Sequence, residues 1–202
     1  MTLEARNITF SYEKDKKLIE NMNFTIEQGE IVGLFAPSGG GKTTLCKLLG
    51  GYIKPNVGEI YVDNKPLKAY KGYCIVQLIW QQPYEAVNER LRAKEILNEA
   101  DDIWENAVSE LEIKKDWLER FPRELSGGEL QRFCIARALT ESTKFILADE
   151  ITAMYDMINQ KKIWDYLLKE VKKRNIGMLI VSHNKHMLEK ICTKVVELEK
   201  II

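Results

Sequence analysis

The residues best suited to chemistry lie in a glycine-rich segment, 36–44, which reads Ala-Pro-Ser-Gly-Gly-Gly-Lys-Thr-Thr. The apolar run 31–36 predicts a buried strand that leads into this segment, and a helix is expected to begin near Lys42. Consecutive glycines let backbone N–H groups wrap around phosphate oxygens, and the N-terminus of a helix adds its positive end. Lys42 would supply a mobile positive charge for the β- and γ-phosphates, and the Thr43 hydroxyl is placed to ligate Mg²⁺. The pattern therefore predicts a site for a nucleoside triphosphate.

Ala36 departs from the usual form of such a loop, which has a glycine at this position. An alanine fits there if its φ angle is negative, since glycine alone adopts positive φ at no steric cost. We therefore expect nucleotide binding to be retained, although Ala36 can alter the affinity. The plainer interpretation is a glycine-rich turn before an amphipathic helix, which would need no ligand.

Two further segments carry polar groups at the ends of predicted elements. Asp149 and Glu150 follow the apolar run 145–148, where one carboxylate can serve Mg²⁺ and the other can activate water as a general base. Alone, this pattern could equally be a strand that ends in two charges. In the segment 125–132, which reads Leu-Ser-Gly-Gly-Glu-Leu-Gln-Arg, Ser126 and Glu129 have the spacing of a capping box. The helix that follows would offer N–H groups to an anion.

These segments, in this order, resemble the ABC (ATP-binding cassette) ATPases. The segment 125–132 is similar to the signature sequence of that family, and 145–150 is similar to its Walker B strand. Gln81 matches the Q-loop glutamine, His183 the switch histidine and Asp156 the D-loop aspartate. The resemblance extends from about residue 3 to the end of the sequence.

The resemblance implies a role for each matching residue. Glu150, His183 and Gln81 are implied to be catalytic, with Glu150 as the general base. Thr43, Gln81 and Asp149 are implied to hold Mg²⁺, and Tyr12 to stack on adenine. The residues implied to bind ATP are Tyr12, Ala36, Pro37, Ser38, Gly39, Gly40, Gly41, Lys42, Thr43 and Thr44.

The resemblance also implies that two cassettes share each ATP. The signature residues of one subunit would bind the γ-phosphate held by the opposing subunit; they are Ser126, Gly127, Gly128 and Glu129. The D-loop, which ends at Asp156, crosses the dimer interface in this family. Here 153–156 read Ala-Met-Tyr-Asp instead of the usual Ser-Ala-Leu-Asp, and Ile151 replaces a common proline. These departures favour a heterodimer with a second, non-identical ATPase subunit over a homodimer.

Short apolar runs that alternate with helix-like stretches predict an α/β fold with buried strands. The runs are 31–36, 145–148, 178–181 and 195–198. The resemblance implies a P-loop NTPase with a RecA-like core, an antiparallel β subdomain and an inserted α-helical subdomain. We expect a single domain over 1–202, with the core at about 1–83 and 139–202 and the helical subdomain at about 84–138. One predicted helix has an apolar face of Ile163, Trp164, Leu167, Leu168 and Val171.

Composition limits the setting in which the protein works. Thirty basic residues balance thirty acidic ones, so no overall charge favours nucleic acid or an anionic membrane, and no nucleic-acid partner is expected. No apolar run approaches the roughly 18 residues that span a bilayer. The four cysteines lack metal-ligand spacing, which favours buried thiols in a reducing compartment. We expect a peripheral protein at the cytoplasmic face of the cell membrane, attached through another subunit.

The segment 81–90, Gln-Gln-Pro-Tyr-Glu-Ala-Val-Asn-Glu-Arg, is similar to the stretch after the Q-loop in peptide and nickel importer ATPases. The resemblance implies integral membrane permease subunits as direct partners and a substrate-binding protein as an indirect one. The alternative is a soluble, non-transport ABC ATPase that acts on an assembly such as the ribosome. Proteins of that class usually carry two cassettes, an iron–sulfur domain or a basic surface, and this sequence has one cassette and no net charge.

Overall fold

The computed structural model describes residues 1–13, 16–36, 40–100 and 104–197. The chain divides into two compact units. Unit 1 comprises residues 1–78, 144–149 and 175–202, and unit 2 comprises 79–143 and 150–174. The elements in chain order are β1 (Thr2–Phe10), β2 (Ile19–Glu27), β3 (Ile31–Phe35), α1 (Lys42–Leu49), β4 (Val57–Val62), β5 (Lys65–Pro66), β6 (Val76–Ile79), α2 (Ala93–Asn98), α3 (Trp104–Glu110), α4 (Gly127–Ala138), β7 (Phe145–Asp149), α5 (Met157–Lys173), β8 (Gly177–Ser182), α6 (Lys185–Ile191) and β9 (Lys194–Glu197). Short 3₁₀ turns occur at Leu67–Ala69, Pro83–Ala86, Lys115–Glu119 and Pro122–Glu124.

An antiparallel sheet of four strands, in the order β2-β1-β4-β5, forms one layer of unit 1. Along β1, Leu3, Ala5, Ile8 and Phe10 are buried, while most of the residues between them are partly or fully exposed. This alternation is the pattern of a sheet that covers a core with one face. The predicted antiparallel β subdomain is therefore confirmed.

A second sheet has the strand order β6-β7-β8-β3-β9. Its pairs β7–β8, β8–β3 and β3–β9 are parallel, and every residue of β7 and β8 is buried. Strands that are covered on both faces have continuous apolar sequences, and these apolar runs predicted the positions of the strands. The predicted strands at 31–36, 145–148 and 178–181 are confirmed. The fourth run corresponds to β9, and its last residue, Leu198, lies outside the described residues.

Unit 2 is helical in the part of the chain that the structure describes. Helix α4 packs against α2, α3 and the 3₁₀ turn at Pro83–Ala86. The predicted helical subdomain lies within this unit, which also takes in α5. Arg132 of α4 contributes to the association of α5, since it donates a hydrogen bond to Asn159 Oδ1 at 3.1 Å, and Lys162 of α5 also bonds to the Glu112 carboxylate at 2.5 Å.

The apolar face of α5 differs in one position from the prediction. Ile163, Trp164, Leu167 and Val171 are buried as expected, but Leu168 is only half-buried and Tyr166 is buried instead. Successive residues of a helix are rotated by about 100°, which places Leu168 at one edge of the apolar face of α5. Tyr166, at the opposite edge of that face, is buried in its place.

The cysteines are all free thiols, two of them buried (Cys46, Cys134) and two half-buried (Cys74, Cys192). The expectation of buried thiols therefore holds for two of the four. The described residues contain no cluster of His, Cys, Asp and Glu that could hold a metal ion. Among the same residues, no helix combines the length and the apolar character needed to cross a membrane.

The start of β8 allows no side chain at Gly177. A β-carbon there would lie 2.6 Å from Phe145 Cδ1 and 2.7 Å from the backbone carbonyl oxygen of Glu27. We predict that Gly177→Ala lowers the free energy of unfolding by about 1–3 kcal/mol, because neither neighbour is the end of a flexible chain. Urea denaturation would measure this, with Met178→Leu as a volume-conserving control that should cost less than about 1.5 kcal/mol. Equal stability of Gly177→Ala and wild type would contradict the close packing.

Candidate functional site

The phosphate-loop segment joins β3 to α1 in unit 1. Gly41 precedes α1 with φ 77° and ψ 8°, a left-handed conformation that favours glycine. At the other end of the loop, Ala36 is buried and does not have a positive φ, so an alanine fits this backbone without strain. Three predicted ATP-binding residues, Pro37, Ser38 and Gly39, lie outside the described residues.

Lys42 is the first residue of α1 and is buried. Its Nζ donates a hydrogen bond to the carbonyl oxygen of Ala36 at 2.9 Å, so the ammonium group lies next to the residue that follows β3. Thr43 follows in the same turn and is half-buried. The structure thus holds a positive charge and the N-terminus of a helix at one point, an arrangement suited to phosphate.

Tyr12 lies beside the same helix. Its hydroxyl is 3.2 Å from Thr44 Oγ1, and its ring meets the Phe10 ring edge-on, with the ring centroids 4.8 Å apart. These two contacts fix the ring, yet 65% of the residue is exposed. A fixed, exposed aromatic ring next to a phosphate site can stack on a nucleotide base.

Strand ends bring the other unit 1 residues to the edge of the sheet that carries the loop. In the parallel register Phe35 pairs with Ser182, and Asp149 pairs with Val181. Asp149 therefore ends β7 next to the end of β8, and the exposed His183 follows β8 directly. The carboxyl edge of a parallel sheet is where such folds bind ligands.

The side chain of Asp149 is buried beside α1. Burial and the negative charge of Asp149 together raise the pKa of the Cys46 thiol, which lies one helical turn after Lys42. The thiol is therefore neutral at physiological pH. A buried carboxylate beside the phosphate-binding helix is a donor suited to Mg²⁺.

Glu150 begins the second segment of unit 2 with φ 47°. This left-handed conformation is uncommon for a residue with a side chain, and such strain often occurs at functional positions. Gln81 Nε2 donates a hydrogen bond to Glu150 Oε2 at 3.3 Å. The structure therefore brings together two of the three predicted catalytic residues, which are 69 positions apart in the chain.

The signature segment forms the predicted capping box. Ser126 Oγ accepts a hydrogen bond from the Glu129 backbone N–H at 3.2 Å, and Glu129 Oε2 accepts one from the Ser126 N–H at 2.8 Å. Helix α4 begins at Gly127 and runs for 12 residues. Its first-turn N–H groups have no partner within a helix, so this end suits an anion.

Asp156 caps the N-terminus of α5. Its Oδ1 accepts hydrogen bonds from the backbone N–H groups of Ile158 and Asn159, at 3.0 and 2.9 Å. Its Oδ2 accepts one from Asn159 Nδ2 at 2.7 Å. Together these bonds, led by those from Asn159, hold the pKa of the carboxyl below its ordinary value.

Two residues that depart from the family pattern, Met154 and Tyr155, contact the signature glycines directly. The Tyr155 hydroxyl donates a hydrogen bond to the Gly128 carbonyl oxygen at 2.5 Å. Met154 Sδ lies 2.6 Å from the point that a β-carbon on Gly127 would occupy. The sequence signal was the unusual residue types at 154 and 155, but their target could be found only in three dimensions.

The arrangement in unit 1, with a phosphate loop and acids at the carboxyl edge of a parallel sheet, defines a nucleotide-binding ATPase fold. The sequence model of the ABC transporter family matches residues 19–153, more than half of the chain. The nickel import system ATP-binding protein NikE of Staphylococcus aureus (strain bovine RF122 / ET3-1) is 30% identical over 211 residues, covering 98% of this chain and 86% of that protein. The oligopeptide transport ATP-binding protein OppF of Streptococcus mutans is 29% identical over 216 residues, covering 96% of this chain and 70% of that protein.

Solved structures share the fold. A dimeric ATP-binding cassette in a post-hydrolysis state, bound to ADP and Pi, superposes with a TM-score of 0.84 at 24% identity, covering 98% of this chain and 95% of that one. The structure of cbiO1 from Clostridium perfringens, part of an ABC transporter complex, gives a TM-score of 0.78 at 22% identity, covering 98% and 85%. The chain therefore belongs to the ABC transporter family, and it is an ATP-binding subunit with the ATPase activity of that family.

The cap at Asp156 predicts a pH-dependent contribution to stability. A carboxyl whose pKa is lowered in the folded state stabilises the protein above its ordinary pKa of 3.8, and this contribution is lost as the pH falls below that value. Asp156→Asn keeps an oxygen acceptor but removes the charge. We expect it to lower the melting temperature at neutral pH and to approach wild type as the pH falls through the lowered pKa of the folded state, by thermal denaturation.

Asp165→Asn, within the same helix but away from its N-terminus, controls for the loss of a surface charge. A difference between Asp156→Asn and wild type that persists unchanged at acid pH would contradict the role of the charge.

Proposed function

We propose that this chain powers the import of a peptide or nickel-type solute by hydrolysing ATP at the cytoplasmic face of the membrane, through partner permease subunits. The observation that carries the proposal is the similarity over 96–98% of the chain to proteins named for oligopeptide transport and nickel import. The segment 81–90 supports it, since it has the form found in that importer group. The same names favour it over a soluble ABC ATPase.

The proposed ATP site uses the phosphate loop with Lys42 as its cation. Lys42 Nζ, which donates to the Ala36 carbonyl oxygen, would bind the β- and γ-phosphates. Tyr12 would stack on the adenine. Thr43 in the first turn of α1 and the buried Asp149 would hold Mg²⁺, with Gln81 as a third donor. The metal would neutralise charge on the transferring phosphate.

Glu150 is the proposed general base. Its carboxylate would take a proton from the attacking water as the water oxygen bonds to the γ-phosphorus and ADP leaves. The hydrogen bond from Gln81 and the constrained backbone at Glu150 fix the direction of this carboxylate before the substrate arrives. His183, at the end of β8, would contact the γ-phosphate.

The signature residues are proposed to act in trans. Ser126, Gly127, Gly128 and Glu129 would bind the γ-phosphate of ATP held by a second ATPase subunit, and the D-loop around Asp156 would cross between the two subunits. The capping box and the helix that begins at Gly127 support this, because the N–H groups in the first turn of a helix can bind an anion. We favour a heterodimer, although a homodimer would use the same contacts. A substrate-binding protein would act through the permease.

We predict that Glu150→Gln abolishes steady-state hydrolysis by the permease-bound complex and leaves ATP binding intact. The amide keeps the shape of the carboxylate but cannot accept the proton, and the loss of a general base costs about 10²–10⁴ in rate. Lys42→Ala is the contrasting variant: it should weaken ATP binding to the chain, measured by calorimetry, while Lys47→Ala in the last turn of α1 should not. Normal turnover of Glu150→Gln would exclude Glu150 as the base.

The subunit composition of the native transporter tests the proposed assembly. We expect one copy of this chain, one copy of a different ATPase and the permease subunits in each complex. Purification from the native membrane followed by native mass spectrometry would give the stoichiometry. Two copies of this chain without a second ATPase would show that the assembly is a homodimer. A complex without any permease would contradict the proposed role in transport.

A further inference from the structure

We propose that Tyr155 is a positioning residue that orients the first turn of α4, and with it the signature N–H groups that meet the partner's ATP. This inference rests on the proposed action of the signature in trans. It concerns contacts that lie entirely within unit 2. Tyr155 itself would touch neither ATP nor the attacking water.

The contact between Tyr155 and Gly128 has a polar and a steric part. The hydroxyl donates to the Gly128 carbonyl oxygen at 2.5 Å, and Tyr155 Cε1 lies 3.1 Å from the position of a β-carbon on Gly128. The carbonyl of Gly128 belongs to the same rigid peptide unit as the N–H of Glu129. A hydrogen bond to that oxygen therefore fixes the peptide plane that carries the Glu129 N–H, which donates to Ser126 Oγ at 3.2 Å and so holds the capping box that shapes the first turn of α4.

Arg132 holds Tyr155 in place from the other side. Its guanidinium lies over the Tyr155 ring, 5.8 Å from the centroid, and it also donates to Asn159 Oδ1 and to the carbonyl oxygen of Leu111. Only 11% of the Arg132 side chain is exposed. Asn159 in turn donates to Asp156. The N-termini of α4 and α5 are thus joined through one continuous set of contacts.

The adjacent Met154 acts on the preceding glycine. Because its Sδ occupies the space beside Gly127, the first two residues of α4 are both covered by the segment 154–155. Leucine, the usual residue of the family at position 155, would fill space but could not donate a hydrogen bond. The phenol therefore supplies this chain with a polar link between its D-loop and its signature helix.

The hydroxyl remains a donor across the physiological pH range. Burial raises the pKa of Tyr155 well above its ordinary value, which outweighs the lowering by the nearby Arg132. The link between Tyr155 and Gly128 is therefore not sensitive to changes in pH around neutrality.

Tyr155→Phe tests the inference because it removes one oxygen and keeps the ring. In the intact, permease-bound complex we expect kcat to fall about 5-fold, the effect of one hydrogen bond, while ATP affinity of the isolated chain is unchanged. Tyr166→Phe, a buried tyrosine on α5, is the matched control and should leave kcat unchanged. If the Tyr155 hydroxyl were only structural, Tyr155→Phe would lower the melting temperature, and it would not lower kcat while leaving ATP affinity unchanged.

A second measurement does not depend on assembly of the complex. In the isolated chain, hydrogen exchange of the backbone amides at 129–132 should become about 5-fold faster in Tyr155→Phe, while exchange in the middle of α5 is unchanged. Wild-type turnover and exchange at 129–132 in Tyr155→Phe would overturn the inference. The proposed function would be unaffected in that case, because it is tested separately by the loss of turnover in Glu150→Gln.

Discussion

The functional arrangement of unit 1 depends on the parallel register of β3, β7 and β8. These strands are buried, so they can carry almost no polar side chains along their length, and the polar residues collect where the strands end. The register places the ends of β3 and β7 on either side of β8. The phosphate loop, Asp149 and His183 therefore share one edge of the sheet, although more than a hundred residues separate the loop from the other two in the sequence.

Unit 2 depends on the first turns of two helices instead. Helix α4 begins with its capping box, α5 begins with the Asp156 cap, and Arg132 and Tyr155 join the two starts. Helix starts are the points at which backbone N–H groups lack partners, so a protein that binds an anion there must leave some of them available and still hold the turn in place. Side-chain caps bind only some of these N–H groups, and contacts to carbonyl oxygens bind none of them. Both kinds of contact therefore hold the turn in place and leave the remaining N–H groups available.

The sequence predicted those features whose signals are local. Buried parallel strands appear as apolar runs, and the capping box depends on two residues three positions apart, so both could be located without a structure. The replacement of Leu168 by Tyr166 in the core was not predictable, since both lie at the margins of one helical stripe and the neighbouring elements decide between them. The hydrogen bond from Arg132 to Asn159, 27 positions later in the chain, was also not predictable, because no local pattern specifies it. The family resemblance implied that Gln81 and Glu150 are both catalytic, but it did not predict their contact, and no spacing rule gives a contact between residues 69 positions apart.

The departures from the family pattern at Ala36 and at Met154 and Tyr155 have different structural consequences. Ala36 fits a backbone that does not need glycine, and its carbonyl oxygen, which any residue would supply, receives the Lys42 hydrogen bond. That replacement therefore puts no strain on the backbone at position 36. Met154, in contrast, fills the space beside Gly127, which a smaller residue could not do. Tyr155 donates a hydrogen bond to the Gly128 carbonyl oxygen, which an apolar residue could not do. In the proposed dimer the signature of this chain completes the ATP site of its partner, so Ala36 bears on the chain's own nucleotide and Tyr155 bears on the partner's. If the partner is a different ATPase, the two composite sites then differ in their construction even when both contain every catalytic residue.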